Sequence, residues 1–127
     1  MVMSHRSRAE LAVIVGWLLV VVFGVLVWLV AGELRSGIVF AAVGLAMSVW
    51  VARRPGTAAL VVSLVLGLLH TVEQIAYFGA DVSGSNPPIG SVLGDAEGLL
   101  AGLLVVGGAV AGLRRLRRSR AVAEPVA

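Results

Sequence analysis

The 127-residue chain has no cysteine and no lysine, and charged residues make up only 13% of it. Without cysteine there are no disulfides, thiolate metal sites or cysteine nucleophiles, and the redox compartment is left open. All ten basic residues are arginine. Because they sit at the edges of apolar segments, they read as topological anchors in a composition biased by a high-GC genome. The sequence pI of about 11.1 is therefore no sign of a nucleic-acid partner. The scarcity of charge is the most restrictive of these absences. Soluble domains carry roughly 45–50% apolar and about 25% charged residues. Here 59% of residues are apolar and the mean hydropathy is +1.02. So few charged groups cannot cover an exterior in water, and lipid is the expected solvent.

Long apolar runs occupy most of the chain. The first, residues 11–31, holds no charge and reaches about 30 Å as a helix, the thickness of the hydrocarbon core. A secretory signal peptide competes for this segment, since His5, Arg6 and Arg8 precede it. Signal cores are shorter, at about 7–15 residues, which favours a retained helix. The second span is read over 35–52, short enough that snorkelling of Arg35 and Arg53 or local thinning must cover the difference. The third covers 57–78. A polar loop, Gly79 to Ser91 with Pro87-Pro88, follows it. The fourth, 91–113, carries Asp95 and Glu97 near its start, and a re-entrant segment is its alternative.

Charge placement selects four spans. With both termini cytoplasmic, nine of the ten arginines lie inside and only Arg35 lies outside. Cytoplasmic loops are enriched in this way because positive charge resists translocation. The expected architecture is an all-α, four-transmembrane-helix bundle forming one domain over residues 1–120. A disordered cytoplasmic tail is expected over 121–127. The expected location is the bacterial plasma (inner) membrane, as a multi-pass protein.

Polar residues inside these spans are the candidates for function. Helical residues advance by about 100°. With His70 at zero, that advance puts Glu73 at about 300° and Gln74 at about 40°. It puts Tyr77 at about 340° and Asp81 at about 20°, so that all five share one face. Leu64, Leu68, Val72 and Ile75 fall opposite, towards lipid. If Tyr77 marks the outer boundary, Glu73 lies about 6 Å and His70 about 10 Å below it. Asp95 and Glu97 sit about 6–9 Å down the fourth helix from the same side. Charge in a span costs about 2.5–3.5 kcal/mol at the centre on insertion scales unless paired or hydrated. The grouping therefore predicts an outward-opening cleft in which His70 pairs with Glu73 or Asp95. Three uses compete for it. One is a hydrogen-bond network joining helices three and four. The second is a proton, cation or small-ligand site at His70, Glu73 and Asp95, with Gln74, Tyr77 and Glu97 nearby. The third is a metal site, whose ligand spacing is not diagnostic. Ser48 and Ser63, also within spans, are expected to bond to their own helix backbone.

Gly90, Gly94, Gly98 and Gly102 recur every fourth residue, a small-residue face that admits another helix backbone closely. Its partner is either within the chain, a second copy, or another membrane protein. The arginines at 114–120 anchor the chain and can attract anionic lipid. No phosphate-binding glycine loop is present, and no serine or threonine has a histidine arranged for nucleophilic catalysis. The sequence thus predicts a non-enzymatic membrane protein without a cofactor, acting as a structural or accessory helix bundle. The alternative is proton- or cation-linked ligand binding or transport, and a membrane metalloenzyme is third.

Overall fold

In the computed structural model, residues 7–84 and 89–123 are described, and they form four helices with no strand among them. Helix α1 (Arg8–Ala31) starts at Ser7, whose Oγ accepts the backbone N–H of Glu10 at 3.1 Å. This satisfies one of the amide donors that a helix N-terminus leaves free. The helix ends at Gly32, which takes a left-handed conformation (φ 71°) that lets its N–H close on the Trp28 carbonyl. Helix α2 (Leu34–Arg53) follows at once. Arg54-Pro55-Gly56 then turns the chain into α3 (Thr57–Val82). The last helix, α4, spans Ile89–Ala123.

All four helices are long and apolar enough to cross a membrane. Their outer surface is apolar too. Leu29, Ile38, Leu69 and Val72 are each more than half exposed, an arrangement suited to lipid and unfavourable in water. Leu68 and Ile75 are likewise exposed, as the helical wheel predicts, whereas Leu64, expected to face lipid with them, is half-buried and packs on the core.

Side by side, the helices lie in the order α2, α1, α4, α3, with few contacts between α2 and α3. The core is built from Val13, Trp17 and Val20 of α1, Met47 and Val51 of α2, Ala59 and Leu60 of α3, and Ala101, Val105 and Ala109 of α4. Small residues set how close the helices come. A Cβ on Gly37 would lie 2.6 Å from the carbonyl oxygen of Gly24, so α1 and α2 touch backbone to backbone there. Lipid supplies little hydrophobic drive between helices, and such close packing replaces it. The indole N–H of Trp17 donates to Ser63 Oγ at 3.0 Å and ties α1 to α3.

Several expectations are corrected. The loop is shorter than 79–91, because Gly79 to Val82 contain no proline and continue α3, while α4 already begins at Ile89. Ser83 ends α3, its Oγ donating to the Gly79 carbonyl at 2.7 Å. Helix α4 does not stop at Leu113. No helix breaker intervenes, Leu113 and Leu116 pack on the core, and Arg120 donates to Thr57 Oγ1 at 3.4 Å. Ala121 to Ala123 are therefore helical where a disordered tail was expected, and residues 124–127 lie outside the described residues. Pro87-Pro88 of the loop also lie outside them. Ser48 bonds to its own helix as expected, donating to the Leu45 carbonyl at 2.8 Å, but Ser63 serves as the acceptor for Trp17 instead.

Candidate functional site

The α1–α2 turn, the end of α3 and the start of α4 meet at one end of the bundle. The arginines at 53, 54 and 114–120 lie at the other. At the first end a cleft of about 240 Å³ opens among all four helices. Its apolar wall comes mainly from Phe23, Leu26, Val27 and Val30 of α1 and Phe40 of α2. Its polar wall comes from Glu73, Gln74, Tyr77 and Asp81 of α3 and Ser91 and Asp95 of α4, with Glu33 and Ser36 closing the α1–α2 side. Four carboxyl groups thus line one cavity, and among the described residues no arginine or histidine lines it.

The α3 residues separate by depth and rotation. Glu73 and Tyr77 are exposed along the cleft, while His70 and Gln74 point inward. Gln74 is 1% exposed, and its Oε1 has no hydrogen-bond partner among the described residues. A buried amide with an unmade bond costs of order 1–3 kcal/mol, so an amide of this kind at a cavity wall calls for a polar occupant. Asp95 is half-buried, and its carboxyl group lies close to that of Asp81. Two carboxylates at that separation repel unless a proton or a cation stands between them. Asp95 Oδ2 is enclosed and has no partner among the described residues.

His70 does not pair with Glu73 or Asp95. Its Nε2 lies 2.9 Å from the Gly98 carbonyl oxygen. A carbonyl can only accept, so Nε2 carries the proton and donates across the α3–α4 interface. The imidazole stands edge-to-face against Phe23 and Phe40, with ring centroids 5.3 Å and 5.6 Å away. Phe23 and Phe40 make the same contact with each other at 5.0 Å. This layer joins all four helices and floors the cleft, since both phenylalanines also line it. His70 Nδ1 is buried without a partner among the described residues.

Glu97 is half-buried and does not line the cleft. Both its carboxyl oxygens are enclosed and have no partner among the described residues. The metal reading finds no geometric support: among the described residues no three histidine or carboxylate side chains converge on one point.

The glycine stripe divides between two roles. A Cβ on Gly98 would lie 2.8 Å from the Phe23 ring and 2.9 Å from Gln74 Oε1, and one on Gly102 would run into Thr71 Oγ1. These two glycines are covered by α1 and α3 of the same chain. Gly90 and Gly94 line the cleft mouth, and Gly94 has no neighbour within 4 Å of a Cβ.

Sequence reasoning missed the contribution of α1 and α2. Glu33 and Ser36 carried a usable signal, because they flank the Gly32 turn and must lie level with the ends of α3 and α4. Asp81 was visible on the α3 face, but its approach to Asp95 was not. Comparison with known proteins adds no guide: no family model, curated protein or solved structure matches the chain.

Proposed function

We propose that this chain is a multi-pass protein of the bacterial plasma membrane that binds a cation in a cleft open to the external face. The arginine distribution supports the orientation, with both termini cytoplasmic and the carboxyl-lined end outside. One observation carries the site: among the described residues, Glu33, Glu73, Asp81 and Asp95 share a cavity with the buried amide of Gln74, whose Oε1 has no partner, and no base lines that cavity. Carboxyl groups at membrane depth are unfavourable unless hydrated, protonated or paired, and a bound cation supplies the missing charge. No chemical step is assigned to the site.

A ligand that binds only the folded state raises its stability by mass action. Purified protein in detergent should therefore gain melting temperature, in a saturable way, with at least one member of a panel of inorganic and organic cations. The Glu73→Gln/Asp95→Asn double variant should lose that gain. A panel in which no cation raises the melting temperature of the native chain counts against the reading.

A structural or accessory role is the second reading, favoured by the His70–Gly98 bond, which joins α3 to α4. In that case a second copy or another membrane protein packs on the chain, and oligomer size in detergent is the observation that separates the two.

A further inference from the structure

Resting on the reading of the cleft as a cation site, we infer that its ligand is a small organic ammonium ion with an apolar body, rather than a metal ion. The four carboxyl groups come from two helices, α3 and α4, and the α1–α2 turn, and ring the cavity. Among the described residues they do not gather into a set that could hold a metal ion. A divalent ion needs several oxygens within about 2.0–2.6 Å of one centre. An organic cation spreads its charge over a larger radius and is served by carboxyl groups placed around it.

The opposite wall makes the second half of the case. Phe23, Val27, Val30 and Phe40 present hydrocarbon to the same cavity that Asp81 and Asp95 line. Metal sites gain nothing from such a wall, whereas an alkyl or aryl substituent on nitrogen is removed from water by it. Aromatic rings also attract a quaternary or protonated nitrogen through their negative faces. The volume of about 240 Å³ sets the size, since it lies below the range of drug-sized pockets, about 300–1,000 Å³. The ligand is accordingly an ammonium carrying one ring or a few short chains, with its nitrogen towards Asp81 and Asp95 and its apolar part towards α1.

The test uses the full chain in detergent micelles and equilibrium dialysis against benzyltrimethylammonium, tetramethylammonium, calcium and neopentylbenzene, the neutral counterpart of the first. Benzyltrimethylammonium should bind saturably and about tenfold or more tighter than tetramethylammonium, because of the ring it buries. Neopentylbenzene should not displace it, and the folded Glu73→Gln/Asp95→Asn variant should not bind it. Native protein and the displacement arm decide the matter even if that variant fails to fold. Saturable calcium binding, with both ammonium ions weak and equal, would sink the organic ligand while leaving a cation site in place. Binding of no cation overturns both readings. Displacement by neopentylbenzene, or retention by the folded variant, marks partition into the micelle and also overturns the inference.

Discussion

His70 Nε2 donates to the main-chain carbonyl of Gly98 at 2.9 Å, on a residue whose missing side chain leaves room for both the Phe23 ring and the Gln74 amide. One glycine thus seats a histidine, a phenylalanine and a glutamine from two other helices. Replacing Gly98 with alanine forces the Phe23 ring or Gln74 aside, and overpacking of that kind costs about 1–3 kcal/mol. Gly107→Ala is the control, because a Cβ there meets nothing within 4 Å and alanine favours the helix. Thermal unfolding in detergent should rank Gly98→Ala well below the native chain and Gly107→Ala level with it or above. Equal melting temperatures for the two variants would remove the close approach from the account.

His70→Ala removes a ring packed between Phe23 and Phe40 together with the bond to Gly98. Large-to-small changes of this kind cost roughly 2–5 kcal/mol. The expected outcome is a marked drop in resistance to unfolding by a denaturing detergent. An undiminished midpoint would show that the aromatic layer is not what joins the helices.

Trp17 and Ser63 form a buried donor–acceptor pair although they stand 46 positions apart in the chain. Ser63→Ala strands the indole N–H in the core, at a cost of about 1–3 kcal/mol, whereas removing both partners lowers that penalty. A double-mutant cycle of Trp17→Phe and Ser63→Ala should therefore give a combined loss smaller than the sum of the single losses. Strict additivity would argue against the bond.

The absence of cysteine makes orientation directly testable. Ser83 lies exposed at the carboxyl-lined end and Ser119 lies exposed at the arginine end. A membrane-impermeant maleimide added to intact cells should label Ser83→Cys. It should label Ser119→Cys only after permeabilisation. The opposite pattern would place the cleft on the cytoplasmic side and require its ligand to come from within.

The helices themselves were legible because span length, charge exclusion and the Arg-Pro-Gly turn all depend on local sequence. Their ends were harder. Nothing in the arginine-rich stretch after Leu113 announces that Leu116 reaches back to the core, so the extension of α4 was set by tertiary packing. The inward face of α3 was readable from helical rotation at His70 and Gln74. The same rotation placed Glu73 with them, although it is exposed along the cleft, because the wheel fixes an angle without knowing where the neighbouring helix ends. Ser63 was misassigned for a related reason: its acceptor role depends on Trp17, and no periodicity brings residues 17 and 63 together. Phe23 and Phe40 looked like ordinary apolar residues until the fold set them against an imidazole.

The lateral order of the helices has a mechanical corollary. Helices α1 and α4 form the middle of the bundle, and α2 and α3 are its outer leaves, each fastened chiefly along one edge, α2 to α1 and α3 to α4. A leaf held mainly on one side has one soft direction, and swinging α2 outward would part Phe40 from His70 and carry Ser36 away from the cleft. A displacement of α2 therefore leaves the tryptophan–serine bond between α1 and α3 intact, whereas one of α3 would break it.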